Sequence, residues 1–222
     1  MDAIVLAAGR SVRMGAGKEK QLMRIGGKPM FIFAVERLLE HPSVDRIILT
    51  AREDRLDHIQ AVLNSYQLSR AVLVIPGGQT RQESVSCGLQ RVTTERVMVH
   101  EAARPVISQA LLSRVVAPDD DAVVPVVEIP FTVAVGGDVM EEMVERSSLR
   151  NVQLPQVFRT ETLRKAHELA KKDEFMSTED SQLVFRMGVP VRFVEGAVEN
   201  IKVTYPVDFV VAHEWIFGEE ES

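Results

Sequence analysis

The chain has 222 residues, 45% of them hydrophobic, and a formal net charge of -6 from 32 acidic and 26 basic side chains. That length and apolar content suit a core buried within a single domain over 1–222, and an acidic balance without any lysine-rich run argues against nucleic acid as a partner. A lone Cys87 rules out an internal disulfide framework, and the opening MDAIVLAAGR is too brief an apolar run for a signal or a membrane span, so a cytoplasmic protein with no membrane partner is expected.

The first apolar run predicts a strand over 3–8, ending in the small residues Ala7 and Ala8. A helix over 30–39, a strand over 46–50, a helix over 55–66 and a strand over 71–75 follow. Next come a helix over 80–91, opened by Thr80 and Glu83 in the spacing of a capping box, a strand over 96–100, a helix over 109–116 and a strand over 122–127. Most of these strands are continuous apolar runs rather than alternating ones, as expected of a sheet covered on both faces, and their alternation with amphipathic segments predicts parallel pairing through crossover helices.

The alternation breaks at 128–151, where the extended pieces IPFTVAV and DVMEEMVERSSLRNV surround Gly136-Gly137. A glycine pair between short runs predicts a hairpin that leaves the main sheet, either as an idle surface feature or as a dimerisation arm gripping a second subunit. Helices over 160–171, 179–186 and 206–217 and a strand over 191–195 complete the chain. The fold class is therefore α/β, Rossmann-like, with a mostly parallel central sheet, helices on both faces and a protruding β-hairpin arm.

Open α/β sheets bind ligands at the carboxyl ends of their strands, which places the loop starting at Gly9 in position to meet one. Backbone amides of small residues can approach phosphate oxygens there, and Arg13, Lys18 and Lys20 supply countercharge. The loop is not a dinucleotide fingerprint, because Gly9 is followed by Ser11 and Met14 where glycines are required. Nor is it a Walker loop, since the glycine needed before Gly17-Lys18 or Gly27-Lys28 is replaced by Val12 or Leu22.

What remains is L-A-A-G-x-x-x-R-M, then Lys20-Gln21 and Gly26-Gly27-Lys28-Pro29, an order that resembles the sugar nucleotidyltransferases. Later stretches narrow the resemblance. Gly77-Gly78-Gln79-Thr80-Arg81-Gln82-Glu83-Ser84-Val85 is similar to the G-G-x-x-R-x-x-S-V element of the 2-C-methyl-D-erythritol 4-phosphate cytidylyltransferase family, and Val99-His100-Glu101-Ala102-Ala103-Arg104-Pro105 to its V-H-D-A-A-R-P. Thr132, Arg146, Leu154-Pro155-Gln156, Thr178-Glu179-Asp180 and the stretch from Val194-Glu195-Gly196 to Asn200-Ile201-Lys202-Val203-Thr204 fall in the same order, so the resemblance spans nearly the whole chain.

The resemblance implies a nucleotidyltransferase that moves a cytidylyl group from CTP to 2-C-methyl-D-erythritol 4-phosphate and releases pyrophosphate, in non-mevalonate isoprenoid biosynthesis. It implies that Ala7, Ala8 and Gly9 meet CTP through backbone amides, that Gly78 and Ser84 lie near the cytosine, and that Glu101 and Ala102 lie near the ribose and metal-bound phosphates. It nominates Arg13, Lys20 and Lys202 as the catalytic cations, Mg²⁺ as cofactor with Glu101 as its ligand, and Asn200 as a weaker metal candidate. Arg104, Thr132 and Arg146 are assigned to the polyol phosphate, the last two from an arm that reaches a neighbouring subunit of a homodimer. No nucleophile triad is expected, because a phosphate monoester is mostly dianionic at neutral pH and can attack phosphorus unaided. His100, at the end of an apolar strand, reads as a packed core residue.

Three positions depart from the family pattern: Ser11 for a loop glycine, Glu101 for aspartate, and Leu154 for threonine, which removes a hydroxyl that could bind phosphate. The competing reading is a ribitol 5-phosphate cytidylyltransferase, which shares the CTP motifs. More remote are a nucleotidyltransferase for UTP or molybdopterin and a non-catalytic CTP-binding module.

Overall fold

The computed structural model describes residues 1–9 and 22–218. Its main sheet has eight strands. Four of them, β1 (Asp2–Leu6), β4 (Arg46–Ala51), β5 (Val72–Pro76) and β6 (Arg96–Glu101), pair in parallel in the order β5-β4-β1-β6. Next to β6 lies β11 (Gln156–Arg159), antiparallel to it and to β7 (Ala122–Glu128), so β7 runs parallel to β6. The same edge of β7 carries β10 (Arg150–Val152), and its other edge pairs in parallel with β12 (Arg192–Glu195).

Strand alternation sends Ala3, Val5, Ile47 and Leu49 to one face of the sheet and Ile4 and Ile48 to the other. The first face is covered by α1 (Met30–Leu39), α2 (Leu56–Ser65) and α4 (Gln109–Val116), which bury Phe31, Ile59 and Leu111 against it. The second is covered by α3 (Arg81–Leu89), α5 (Thr160–Lys172) and α6 (Asp180–Arg186), which bury Val85, Leu163 and Val184. Close seating of α3 depends on Gly88, where an added Cβ would come within 2.8 Å of the Ile4 side chain. The predicted α/β architecture with helices on both faces is the observed one.

Two smaller sheets lie off this body. The pair β2 (Arg24–Ile25) and β3 (Lys28–Pro29) turns through Gly26 and Gly27, both at positive φ, and joins α1 and α7 (Pro206–Phe217) in a satellite core of Ile25, Met30, Phe33, Val203 and Ala212. The pair β8 (Ala134–Gly136) and β9 (Met140–Met143) forms the hairpin read from Gly136-Gly137. It carries little core: Met143 on it is 84% exposed, and Phe131, just before it, 73%. Among the described residues no helix is long and apolar enough to cross a membrane.

Candidate active site

The carboxyl ends of β1, β4, β5 and β6 are tied together by backbone hydrogen bonds that continue past the strands. Ala7 N–H donates to the Thr50 carbonyl at 2.8 Å, Gly77 N–H to Ala51 at 2.7 Å, and Ala102 N–H to Leu6 at 3.0 Å. The Ala7 and Ala102 amides are thus committed to the scaffold. This corrects the expectation that Ala7 offers its amide to a nucleotide and leaves the chain at Ala8 and Gly9 for that role. Arg13 and Lys20, with Lys18 and Ser11, lie outside the described residues.

Ala8 faces the glycine turn after β5. A Cβ on Gly77 would sit 2.9 Å from both Ala8 Cβ and Ser84 Oγ, so only glycine lets these two segments approach. Ser84, 2% exposed on the first turns of α3, accepts from Gly78 N–H at 3.1 Å and donates to the Thr80 carbonyl at 2.9 Å. Thr80 caps α3 by accepting from Glu83 N–H, and Glu83 accepts in return from Thr80 N–H, completing the predicted capping box. The serine therefore shapes the turn that presents Gly78.

Glu101 ends β6 and is 6% exposed. Its Oε1 lies 3.3 Å from Arg81 Nε and its Oε2 2.7 Å from Lys202 Nζ. Burial alone would raise its pKa, but Lys202, Arg81 and Arg104 outweigh burial and hold the carboxyl below its usual range. Lys202 reaches this point on a strap between β12 and α7 that is anchored where Val203 N–H donates to the Ala103 carbonyl at 2.8 Å. Its side chain is 38% exposed.

Arg104 is buried beneath the strap. Its Nη1 donates to the Asn200 carbonyl at 2.8 Å, and its own carbonyl contacts His100 Nε2 at 3.0 Å. Among the described residues its Nε has no hydrogen-bond partner. Burial lowers the Arg104 pKa against the pull of Glu101 and Glu179, yet an arginine remains charged. His100 is fully buried, and burial pushes its pKa down to about 4, which keeps the ring neutral and fits the packed role read from sequence.

A carboxylate already engaged by two cations is a poor anchor for a metal, because a divalent ion would have to displace Lys202 or Arg81. Among the described residues no three carboxylate, histidine or cysteine side chains form a metal cluster. Asn200 is fully buried and donates Nδ2–H to the Leu154 carbonyl at 2.5 Å, while among the described residues its Oδ1 has no hydrogen-bond partner; a single neutral amide oxygen is a weak anchor for a divalent ion. The described residues thus do not fit a resident Mg²⁺ held at Glu101. Leu154 itself packs its side chain into the core of the second sheet face, pointing away from any phosphate role.

Thr132 and Arg146 are not brought to this cluster. Both are exposed on or beside the arm, and Arg146 Nη1 donates to the Pro130 carbonyl at 3.2 Å. Lys28 is likewise elsewhere, paired with Glu36 at 2.7 Å.

Sequence reasoning missed the groups behind Glu101. Arg81, quoted only as part of a motif, also places Nη1 2.7 Å from Asp180 Oδ2 and Nη2 3.6 Å from Glu179 Oε2. Asp180 is fully buried and takes a second contact from His167 Nε2 at 2.9 Å, while Glu179 accepts from Gln156 Nε2 at 3.0 Å. Burial would lower the Arg81 pKa, but Asp180, Glu179 and Glu101 outweigh it and hold it above the ordinary arginine value. Burial, with Glu101 and Asp180 nearby, raises the Glu179 pKa against Arg81 and Lys202.

A family model for 2-C-methyl-D-erythritol 4-phosphate cytidylyltransferase matches residues 1–218. The chain belongs to this family. A cytidylyltransferase of that name from Geobacillus kaustophilus is 36% identical over 215 residues, covering 95% of this chain and 94% of the relative. One from Bacillus cytotoxicus is 37% identical over 217 residues, covering 96% of each chain. Among solved structures, the Thermus thermophilus cytidylyltransferase matches with a TM-score of 0.78 at 29% identity, over 96% of this chain and 98% of that one. The 4-diphosphocytidyl-2C-methyl-D-erythritol synthase of Anaerococcus prevotii matches with a TM-score of 0.83 at 26% identity, over 97% of each. The cytidylyltransferase fold therefore extends over the body, the strap and the arm.

Proposed function

We propose that the protein transfers the CMP group of CTP to 2-C-methyl-D-erythritol 4-phosphate, giving 4-diphosphocytidyl-2-C-methyl-D-erythritol and pyrophosphate. The observation that carries this reading is the Lys202–Glu101 pair at the carboxyl edge of the sheet, in a chain matched by the family model over 1–218. A phosphate oxygen of the polyol attacks the α-phosphorus of CTP, the bond from that phosphorus to the α,β-bridging oxygen breaks, and pyrophosphate leaves with the electron pair. The dianionic monoester needs no general base, so catalysis reduces to alignment and charge stabilisation.

In this reading the chain at Ala8 and Gly9 lies against the nucleotide, Arg13 and Lys20 line the triphosphate, and the glycine turn held by Ser84 presents Gly78 to the cytosine edge. Lys202 faces the transferred phosphate, and Glu101 holds it in direction. Arg104 carries a buried Nε without a partner and is suited to an oxygen of the second substrate or its water. Mg²⁺ enters on the triphosphate as part of the nucleotide substrate, in keeping with a small ion that retains water and binds through phosphates.

The protein acts as a cytoplasmic homodimer in which the arm of one subunit brings Thr132 and Arg146 to the site of the other. Exposed apolar side chains on the arm, among them Val139 and Met140 at 71% and 67%, support a covered position for it in the assembly. The deciding experiment is pyrophosphate release from CTP and Mg²⁺ with 2-C-methyl-D-erythritol 4-phosphate and, in parallel, with ribitol 5-phosphate. Turnover confined to the first supports the proposal, and preference for the second overturns the substrate assignment.

A further inference from the structure

Behind the Glu101–Lys202 pair lies a chain of charges that the reaction as described does not use. It begins in the core, where His167 of α5 meets one oxygen of Asp180 at 2.9 Å, and continues from the other oxygen of Asp180 to Arg81 Nη1 at 2.7 Å. Arg81 then turns its Nε toward Glu101 Oε1 at 3.3 Å, and Glu101 Oε2 meets Lys202 Nζ at 2.7 Å. The line runs from a buried end to a partly exposed one: the side chains of Asp180 and Glu101 are 1% and 8% exposed, that of Arg81 between them 20%, and that of Lys202 at the outer end 38%.

We infer that Arg81 is a positioning residue for cytidylyl transfer, fixing the Glu101 carboxylate, and through it the direction of Lys202, against the buried Asp180–His167 base. The inference rests on the function proposed above. Glu101 has two oxygens and spends each on a different cation, so rotation of its carboxylate moves Lys202. Among the described residues Arg81 is the cation that meets Oε1 and opposes that rotation from the far side, and its planar fork makes the opposition directional in a way a lysine cannot reproduce. Arg81 is itself fixed by Asp180, which is fully buried and immobilised from two sides.

A purely structural role predicts something different. Breaking a buried ion cluster at one partner leaves an uncompensated charge and is destabilising, so a cluster kept only for folding would show its loss in melting behaviour. A positioning cluster shows its loss in turnover. Charge also distinguishes the two: Glu101, Glu179 and Asp180 face Arg81, Lys202 and Arg104, so removing one cation leaves excess negative charge beside the site meant for a phosphate.

The test is a double-mutant cycle on the full-length protein between Arg81→Lys, which keeps charge and loses the fork, and Glu101→Gln. Turnover, KM for CTP and melting temperature are read together. Arg81→Lys is expected to lower kcat by about 10-fold or more while leaving KM for CTP within about threefold and the fold intact. In the Glu101→Gln background the same change is expected to cost less than about threefold, because the residue it acts through is already gone. Unchanged kcat in Arg81→Lys, or losses that multiply in the double variant, would overturn the inference.

If Arg81→Lys does not accumulate as folded protein, Asp180→Asn, matched in size, is put through the same cycle with the same expectations. Absence of pyrophosphate release from the unsubstituted protein would instead overturn the proposed function.

Discussion

Lys202 Nζ and Glu101 Oε2 lie 2.7 Å apart, with the carboxylate buried and the lysine side chain partly exposed. The pair joins the end of a core strand to a strap that enters from the far edge of the sheet, so it is where two separately built parts of the site become one. Because the lysine is partly exposed, its contribution to stability should be small, and its contribution to charge stabilisation in the transition state large.

Replacing Lys202 with methionine is therefore expected to lower kcat by roughly 100-fold, the scale for losing one preorganised donor, with little change in melting temperature. Pyrophosphate release and thermal unfolding on the same preparation check both halves. A matching collapse of stability would show that the strap, not the reaction, depends on this side chain.

Ser84→Ala removes the hydroxyl that joins the Gly78 amide to the Thr80 carbonyl. One lost internal hydrogen bond is worth about 1 kcal/mol, so KM for CTP should rise about fivefold if the glycine turn reads the base. Discrimination against UTP should fall as well, because the turn is loosened where base identity would be sensed. Steady-state kinetics with both nucleotides checks this. A change in kcat alone, with KM unmoved, would place Ser84 in the scaffold only.

Much of this fold was legible because its signals are local. The helices at Met30–Leu39, Gln109–Val116 and Pro206–Phe217 fall where the amphipathic segments predict them, and the arm follows from one glycine pair. The strand Gln156–Arg159 was missed, although it sits inside the sheet between β6 and β7. It is only four residues long, follows a proline and runs directly into α5, so no periodicity separates it from its neighbours.

The site divides in the same way. Motifs name Lys202, Glu101 and Ser84, but motif matching gives residue types and not their partners. Hence Ala7 was assigned a free amide that the sheet consumes, and Glu101 a metal where two cations already stand. His167 carried no signal at all: it lies 13 positions from Asp180 in sequence and meets it only through packing of α5 on α6.

The arm offers a third prediction. Met143→Glu and Phe131→Glu place charge on side chains that are 84% and 73% exposed in one chain, so the folded monomer should tolerate them. If the arm is buried against a second copy, both should shift sedimentation from dimer to monomer and reduce turnover together. Arg146→Ala should raise KM for the polyol phosphate by about 10-fold while leaving KM for CTP unchanged. A monomer with full activity would remove the shared site.

His100 supplies a pH test of the core itself. The ring is fully buried with a pKa near 4, pushed down by burial, whereas in the unfolded chain it returns to the ordinary histidine value of 6.5. Its contribution is therefore fully present above the unfolded value and is lost as pH falls toward the folded one, since over that interval the unfolded state takes up a proton that the native state refuses. Between about pH 6.5 and about pH 5 this should remove about 2 kcal/mol of stability. Asp2, Glu101 and Asp180 are depressed carboxyls, so their losses fall at lower pH, below the ordinary carboxylate range. His41 is also lowered by burial and contributes in the same interval, so the comparison must be made against His100→Gln, which keeps a donor toward the Arg104 carbonyl but cannot titrate. Urea midpoints for both proteins at about pH 7 and about pH 5 should show the unsubstituted protein losing more than the variant. Equal losses would mean that the His100 ring is not held neutral in the native core.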